Sequence, residues 1–290
     1  MQLISDPLEM RRWSRAHHAS GKTIGLVPTM GYLHEGHLRL IDNIRSKTDL
    51  VVVSVFVNPT QFSPGEDFLT YPRDLARDRA LIRDRGGHCV FVPETADMYG
   101  SDPLVTVVAG RLADHLCGPG RPGHFDGVLT IVAKLFNIVE PDVAVFGRKD
   151  AQQARIITRM AQDLNFAIRV VVAPTVRERD RVAMSSRNAY LSSEERLAAR
   201  AIPRSLAAAH GLYRKGHTES VSLIASIREI LREESLIDIE YTEAVDPETL
   251  SPVPTADADT IVALAVRVGK ARLIDNIVLG AGVDADEVAD

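Results

Sequence analysis

The apolar positions between residues 23 and 172 alternate between short continuous runs and helical stripes. The run Leu50–Val57 is apolar almost throughout, which is typical of a parallel strand covered on both faces. Similar strand-like runs occupy residues 23–28, 88–92, 142–146 and 168–172. Between them the spacing predicts a helix beginning near His37, a charged helix over 73–85, a buried helix over 128–139 and a helical stripe over 154–164. This alternation predicts an α/β domain with a parallel sheet.

The pattern changes after Pro174. Ser192–Glu195 has the residues of a capping box that opens a helix, and Pro203 is expected to interrupt that helix. A further helix over 221–231 precedes three strand-like runs at 237–245, 260–268 and 272–279, the last two joined by a hairpin. We therefore predict a smaller α+β domain over residues 176–290, with residues 1–175 forming the α/β domain. The acidic tail from Gly282 is expected to be frayed.

Composition excludes some classes of function. The net charge of -5 argues against a nucleic-acid-binding protein, because such proteins usually carry a basic face. No stretch approaches the ~20 apolar residues that a membrane helix requires. The two cysteines lack zinc-site spacing, and the first residues have no basic n-region or apolar h-region. We expect a cytoplasmic protein with reduced thiols that binds neither nucleic acid nor membrane.

The segment Pro28–His37 lies between a predicted strand and a predicted helix. Free N–H groups at a helix N-terminus bind phosphate, and Gly31 and Gly36 allow the backbone to approach a ligand closely. His34 and His37 would add side-chain donors beside that anion. Two alternatives stay open: a glycine-containing turn with two surface histidines, or a divalent metal on His34, Glu35 and His37.

Four more polar segments follow, most of them after strand-like runs. Gln61 follows the run 50–57 and offers both amide donors and a carbonyl acceptor. The glycine- and proline-rich loop 118–125 could act as a lid. Lys149, after the run 142–146, can reach a phosphate as a point charge, and Arg187 lies in a hydroxyl-rich segment suited to phosphate oxygens. Taken singly, each has an ordinary interpretation as a turn, a surface connector or a charged helix start.

Together these segments resemble a known family. The strand–loop–helix segment with its His-x-Gly-His core is similar to the HIGH-type motif of nucleotidylyltransferases and class I aminoacyl-tRNA synthetases. The runs PTMGYLHEGH, VNPTQF, YPRD, RPGHFDGV, FGRKDAQQ, PTVRE and MSSRN resemble, in this order, the pantoate–β-alanine ligases. The resemblance extends from about Ile24 to Leu279. It implies a Rossmann-like N-terminal domain, a small C-terminal lid domain and a homodimer.

The resemblance also implies a reaction in two steps. Pantoate would attack the α-phosphorus of ATP to give pantoyl adenylate and pyrophosphate, with Mg²⁺ accompanying ATP. The amine of β-alanine would then attack the acyl carbon to give pantothenate and AMP, which supplies a precursor of coenzyme A. The product would be a new C–N bond, so the implied enzyme class is a ligase.

The resemblance assigns roles residue by residue. His37, His34, Lys149 and Arg187 would act in catalysis, with His37 in the place of the family's assigned proton donor. Gln61 and Gln153 would hold pantoate, Gln61 would also serve β-alanine, and the family's Mg²⁺ contact maps near Asp78. Arg148 stands where many relatives have Glu, and we expect that position to tolerate change. The implied ATP site comprises Met30, Gly31, Tyr32, Leu33, His34, Glu35, Gly36, His37, Gly147, Arg148, Lys149, Asp150, Val176, Met184, Ser185, Ser186 and Arg187.

Two other functions compete with this interpretation. Another adenylyl- or cytidylyltransferase with the same phosphate site would release pyrophosphate but stop at a nucleotide-linked product. A non-catalytic nucleotide-binding module would release none, although such a module needs fewer convergent cations than His34, His37, Lys149 and Arg187 provide. A tRNA ligase is disfavoured by the acidic net charge and by the absence of an evident tRNA-binding domain.

Overall fold

The structure is a computed structural model that describes residues 1–289. The chain divides into two compact units, each formed by more than one segment. The first unit holds Met1–Ala109, Arg121–Gly147 and Ile156–Ala173. The second holds Gly110–Gly120, Arg148–Arg155 and the described residues from Pro174 onward. The predicted boundary between two domains near residue 175 stays a prediction.

The first unit is built on the predicted parallel sheet. Its six strands are β1 (Gln2–Ile4), β2 (Ile24–Thr29), β3 (Leu50–Val55), β4 (Cys89–Phe91), β5 (Val143–Gly147) and β6 (Arg169–Ala173). They are ordered β1-β4-β3-β2-β5-β6, and every neighbouring pair is parallel. Because parallel strands share one direction, the loops after β2 and β3 emerge at the same edge, where α/β proteins bind ligands.

Helices flank this sheet. They are α1 (Pro7–Ala19), α2 (Glu35–Arg45), α3 (Leu75–Asp84), α4 (Thr95–Tyr99), α5 (His124–Val139) and α6 (Ala151–Asp163), and the division between the units passes through α6. Asp6 caps α1 by accepting from the Glu9 N–H, and Pro7 lies in the first turn, where a missing N–H costs nothing. α5 is buried along nearly all its length, which agrees with its almost continuous apolar sequence.

The second unit has its own sheet and core. Its strands and helices are β7 (Val176–Arg177), α7 (Ser193–Ala199), α8 (Ala201–Arg214), α9 (Ser220–Arg232), β8 (Ile237–Val245), β9 (Ile261–Val268), β10 (Ala271–Val278) and β11 (Glu287–Val288). The strands β10-β9-β8 form the antiparallel sheet that the three apolar runs predict. Leu206, Ile227 and Leu264 belong to one apolar cluster between this sheet and its helices. Pro203 lies in the first turn of α8, so the predicted interruption falls just before it, at Arg200.

Within the described residues, the tail from Gly282 is held by strand pairing and is not frayed, contrary to expectation. β11 pairs in parallel with β7, matching Glu287 with Val176 and Val288 with Arg177. The physical reason is charge, because the Asp286 carboxylate is buried and accepts a hydrogen bond from the buried Arg177 side chain. An acidic composition therefore misled the prediction by suggesting a solvated segment.

Within residues 1–289, no helix combines the length and the apolar character needed to cross a lipid bilayer.

Candidate active site

The segment of residues 30–37, named here the histidine loop, connects β2 to α2. The chain turns sharply after Thr29, with φ of 82° at Gly31 and 51° at Tyr32. Both angles lie in the left-handed region, which glycine adopts easily and tyrosine does not. A Cβ atom at Gly31 would lie 3.0 Å from the Val55 side chain and 3.1 Å from Asp78 Oδ2. Position 31 therefore favours glycine for two reasons, the positive φ and the lack of space for a Cβ atom.

Asp78 on α3 holds this turn in place. Its two carboxylate oxygens accept hydrogen bonds from the backbone N–H groups of Tyr32 (2.7 Å) and Leu33 (2.8 Å). Its side chain is 1% exposed, and the Arg77 guanidinium lies 5.4 Å from the centroid of the Tyr32 ring. Hydrogen bonds to a buried carboxylate are among the stronger ones in proteins. Asp78 is thus the anchor of the left-handed turn.

This geometry does not fit the metal contact predicted through Asp78. Both of its oxygens already accept backbone hydrogen bonds, so its remaining capacity as a ligand is small. Nor does it fit a metal on His34, Glu35 and His37, because the Glu35 carboxylate forms a bidentate pair with Arg85 at 2.7 Å. In the part of the chain that the structure describes, no group of three His, Cys, Asp or Glu side chains is arranged to hold a metal ion.

The two histidines stand at the start of α2, which begins at Glu35, two residues earlier than predicted. His34 is the N-cap residue and His37 lies three residues on, with the ring centroids 4.0 Å apart. The backbone N–H of His34 donates to Nδ1 of His37 at 3.3 Å. A neutral His37 with an accepting Nδ1 must carry its proton on Nε2. The loop therefore presents the Nε2 proton of a neutral His37 at the N-terminus of α2, where the positive end of the helix dipole lies.

Gln61 lies after β3, in the 3₁₀ turn Pro59–Gln61. Its side-chain oxygen accepts from Nδ2 of Asn58 at 3.1 Å, and its Nε2 lies 3.1 Å from the Met30 sulfur. The structure thus brings together two residues that the resemblance assigned separately, one to pantoate and one to ATP. The β2 and β3 loops meet here as the parallel topology predicts.

Asn58 is the organising residue that the sequence argument passed over as part of an ordinary turn. It is 1% exposed and accepts from the Tyr99 hydroxyl at 2.6 Å. Its amide also donates to the carbonyl of Gly127 at 3.1 Å, on α5. A Cβ at Gly127 would lie 2.3 Å from the Thr60 carbonyl oxygen, so this close approach requires glycine. In the sequence, the available signal for this contact was an Asn-Pro pair together with a glycine in a distant helix.

Arg121 and His124, predicted to belong to a lid or a connector, fix the backbone of Gln61 instead of facing solvent. His124 Nδ1 lies 2.7 Å from the Gln61 carbonyl oxygen, so that nitrogen carries the proton. Arg121 forms a bidentate pair with Glu66 at 2.7 and 2.8 Å. Burial raises the pKa of Glu66, but the hydrogen bond and charge of Arg121 outweigh it, so the net pKa of this carboxyl is lowered.

In the second unit, residues 148–150 form a 3₁₀ turn, named here the lysine turn. Nδ2 of Asn276 on β10 donates to the carbonyl oxygens of Arg148 (3.0 Å) and Lys149 (2.9 Å). The Arg148 guanidinium donates to Asp286 at 2.6 Å. The Arg148 position therefore carries a specific ion pair, which the expectation of tolerance did not include.

Gln152, and not its neighbour Gln153, has the buried amide of this region. Its Nε2 donates to the carbonyl oxygens of Leu112 (3.0 Å) and His115 (2.9 Å), and its Oε1 accepts from the Cys117 N–H at 3.0 Å. Gln153 is partly exposed at the start of α6, where the sequence placed it. Gln152 is structural and was missed, since two adjacent glutamines look alike in a sequence.

The remaining predicted nucleotide residues also belong to the second unit. The Met184 N–H donates to the Val176 carbonyl at 2.9 Å, which places these two residues side by side. The Ser185 hydroxyl accepts from the Arg187 N–H at 3.3 Å and caps the 3₁₀ turn Ser186–Tyr190. Asn188 anchors the segment by donating to Glu178 at 2.6 Å. The segment is therefore ordered by its own hydrogen bonds.

Comparison with known proteins gives concordant results. The sequence profile of the family described as Pantoate-beta-alanine ligase matches residues 2–278. A pantothenate synthetase of Heliobacterium modesticaldum is 51% identical over 279 residues, covering 96% of this chain and 99% of the relative. A second, from Thermotoga petrophila, is 49% identical and covers 97% of this chain and 100% of the relative.

Solved structures agree. The crystal structure of pantothenate synthetase from Thermus thermophilus is similar with a TM-score of 0.90 at 43% identity, covering 96% of this chain and 99% of that one. The pantoate-beta-alanine ligase of Francisella tularensis, complexed with beta-gamma ATP and beta-alanine, is similar with a TM-score of 0.77 at 30% identity, covering 98% and 99%.

Proposed function

Because the chain belongs to the pantoate-beta-alanine ligase family, we propose that it activates the carboxylate of pantoate as an acyl adenylate before the amide bond forms. The chain is an ATP-using ligase that joins pantoate to β-alanine through a C–N bond and so makes pantothenate. In the first proposed step a pantoate oxygen bonds to the α-phosphorus and pyrophosphate leaves. In the second, the β-alanine nitrogen bonds to the acyl carbon, AMP leaves, and the nitrogen loses its proton.

The observation that carries the proposal is the histidine loop beside Gln61. A helix N-terminus with two histidines suits phosphate oxygens, because the positive end of its dipole favours negative charge and the imidazoles can act as donors. The Gln61 amide lies against Met30 and is oriented by Asn58, so it can hold the hydroxyl or carboxylate of pantoate. An activated acid requires its carboxylate close to the α-phosphate, and this pair of neighbouring loops supports that requirement.

Roles for the second unit follow from charge. Lys149 and Arg187 are proposed to stabilise the negative charge that grows on phosphate oxygens during adenylation, and Gln153 to bind pantoate. Preorganised donors of this kind each contribute ~10²–10³ in rate. His37 is proposed to donate from Nε2 and His34 to contact phosphate. No covalent intermediate on the enzyme is needed, and burial raises the pKa of the Cys89 thiol to about 12, which keeps that thiol protonated.

Mg²⁺ is proposed to enter with ATP. The described residues do not offer it a ready protein cage, since the predicted contact Asp78 is committed to backbone N–H groups. Mg²⁺ commonly keeps several waters and binds through substrate phosphates with few protein carboxylates, which is compatible with this donor set.

We also propose a homodimer in the cytoplasm. Residues 101–109 contain neither helix nor strand, and the side chains of Leu104, Val105 and Val108 are 86%, 85% and 67% exposed. Apolar side chains exposed together commonly mark a protein interface. Light scattering should give twice the chain mass for the native protein and the chain mass for Leu104→Asp combined with Val105→Asp. A native protein of single-chain mass would contradict the dimer.

The experiment that tests the reaction is pyrophosphate release from ATP and Mg²⁺, with pantoate and β-alanine added singly and together. A single turnover of pyrophosphate with pantoate alone, followed by AMP and pantothenate once β-alanine is added, is the expected result. Pyrophosphate release only when both substrates are present would contradict a free-standing adenylation step. Pyrophosphate with a different acid but not with pantoate would assign another substrate.

A further inference from the structure

A buried arginine lies at the centre of the second unit. The Arg177 side chain is fully buried and forms a bidentate pair with Asp275 at 2.7 and 3.0 Å. Its Nε donates to Asp286 at 2.7 Å, and its Nη1 also donates to the Arg181 carbonyl at 3.0 Å. Burial lowers the pKa of Arg177, but the two carboxylates outweigh it, so the net pKa is raised and the guanidinium stays charged. A buried charge retained with this many partners suggests a role in fixing structure.

The same network extends to the lysine turn. The second oxygen of Asp286 accepts from Arg148 at 2.6 Å, and Asn276, next to Asp275, donates to the carbonyls of Arg148 and Lys149. The backbone of the turn is therefore held by two hydrogen bonds, and the Arg148 side chain by a third. All of these groups belong to the second unit. Asp286 and Asn276 are 2% and 3% exposed, so solvent competes little for these bonds.

The Lys149 backbone is held by a hydrogen bond, but the Lys149 side chain has no acidic partner among residues 1–289. Among residues 1–289, no acidic side chain lies within salt-bridge distance of the Lys149 ammonium, although three other cationic side chains nearby in sequence, Arg148, Arg155 and Arg159, have acidic partners. A lysine with a fixed backbone and no protein counter-ion keeps its charge for a ligand. A flexible four-carbon side chain reaches one position reproducibly only if its base is fixed.

We propose that Asn276 and Asp286 are positioning residues that fix the backbone of Lys149 for adenylation. The inference rests on the proposed role of Lys149 at phosphate, and it goes beyond that role by assigning a function to two residues outside the proposed substrate sites. Asn276 acts directly on the Lys149 carbonyl. Asp286 acts through Arg148, and it connects the turn to the buried Arg177.

The test measures single-turnover pyrophosphate formation with pantoate, at increasing ATP, per correctly folded active site. Asn276→Leu keeps the branching and the number of side-chain heavy atoms but removes both hydrogen bonds to the turn, and Asp286→Asn keeps the shape but removes the charge. Each should slow adenylation by ~10- to 100-fold, the range expected when a catalytic group is displaced by about 1 Å. Glu233→Gln, which removes an exposed ion pair with Arg204 in the same unit, is the matched control and should leave the rate unchanged.

Double variants separate positioning from general stability. In a Lys149→Ala background, Asn276→Leu should slow adenylation little further, because residues that act through one group are not additive. An equal loss in both backgrounds would overturn the proposal and assign Asn276 a purely structural role. If a buried variant does not fold, Arg148→Met and Arg148→Lys replace it, since Arg148 is partly exposed. Arg148→Lys should then recover part of the rate that Arg148→Met loses, and equal rates for the two would contradict the proposal.

Failure of the proposed function can be distinguished from failure of the inference about Asn276 and Asp286. Lys149→Ala alone reports on the role of Lys149, and an unchanged rate there would remove both the role and the inference. A slow Lys149→Ala with normal Asn276→Leu and Asp286→Asn would overturn the inference alone.

Discussion

The histidine loop and the lysine turn both hold groups proposed to meet ATP, yet the two are fixed in different ways. In the histidine loop one carboxylate, from Asp78, binds two successive backbone N–H groups. In the lysine turn side chains more than 120 residues away bind two carbonyl groups and Arg148. The first turn therefore has two of its N–H groups engaged by a carboxylate, and the phosphate is proposed to bind beyond it, at the start of α2. In the lysine turn both carbonyl groups already accept hydrogen bonds. The group that stays available to a ligand is therefore the Lys149 ammonium.

The difference separates two kinds of phosphate recognition. A helix N-terminus can bind phosphate with its backbone as well as with side chains. A turn that carries a lysine binds it with the point charge of one flexible side chain, so the backbone of that turn must be fixed. Substituting an anchoring residue and substituting the group that it holds should therefore affect rate and stability differently in the two regions.

The largest expected effect is that of Lys149→Ala. Removing the point charge should slow adenylation by ~10²–10³ and leave thermal stability unchanged, because the ammonium makes no ion pair within residues 1–289. Single-turnover pyrophosphate release measures the rate. Lys270→Ala, an exposed lysine in the turn between β9 and β10, is the matched control and should react at the native rate. Equal rates for the two variants would place the phosphate charge elsewhere.

Asp78→Asn should affect both rate and stability. Asparagine offers one acceptor oxygen, so one N–H of the left-handed turn loses its partner, at a cost of about 1–3 kcal/mol in unfolding free energy. The Mg²⁺ concentration that gives half the maximal rate should not change. Urea unfolding and a Mg²⁺ titration check the two statements, with the exposed Asp84→Asn on the same helix as control. A Mg²⁺ requirement shifted tenfold or more would restore the metal role.

Gly127→Ala should disturb the Gln61 side of the histidine loop. The new Cβ would meet the Thr60 carbonyl at 2.3 Å, and overpacking of this kind costs about 1–3 kcal/mol. We expect a KM for pantoate raised by ~tenfold, since small displacements of a positioning group are costly. Gly211→Ala in α8, where a Cβ meets nothing within 4 Å, should be neutral or slightly stabilising. If the KM for pantoate stayed native, Gln61 would not be the contact.

The smallest effect is a pH dependence. Because the folded-state pKa of Glu66 is lowered, its stabilisation is present above its ordinary pKa of 4.5 and is lost as the pH falls through the lower folded value. Glu66→Gln should therefore cost about 0.5–1 kcal/mol at pH 7 and nothing in strong acid. Thermal unfolding of both proteins between about pH 2 and pH 7, a range that extends about two units or more on either side of ordinary carboxyl values, checks the convergence. A constant difference across this range would show that the carboxylate charge is not involved.

Local pattern predicted most of the fold. A continuous apolar run such as Leu50–Val57 predicts a buried strand, and the capping box Ser192–Glu195 predicts where a helix begins. The three-residue strand β1 was missed, because so short a segment has no period to detect. The tail was mispredicted, since its acidic residues look solvated unless the buried Arg177 is known.

The candidate site was predicted as a set of motifs and not as a geometry. The histidine loop is contiguous in sequence, so its glycines and histidines were visible together. The anchors Asp78 and Asn276 lie 45 and 127 residues from the backbone groups that they hold, and Asn58 bonds to the Gly127 carbonyl over 69 residues. A single hydrogen bond over such a separation leaves no periodic trace in one sequence. Residue types therefore identified the chemistry, and only the structure identified what positions it.

The buried Arg177 also constrains when the second unit can be completed. Arg177 precedes Asp286 by 109 residues, so a ribosome that adds ~5–20 residues per second makes the arginine roughly 5–20 s before this carboxylate. For most of that interval the guanidinium lacks both acidic partners, since Asp275 follows it by 98 residues, and burying it would leave charge uncompensated. The nascent second unit should therefore keep Arg177 hydrated while the six-stranded sheet, whose last strand ends at Ala173, is already available to fold. The order of synthesis thus allows the parallel sheet to fold first and the Arg177 side chain to be buried last.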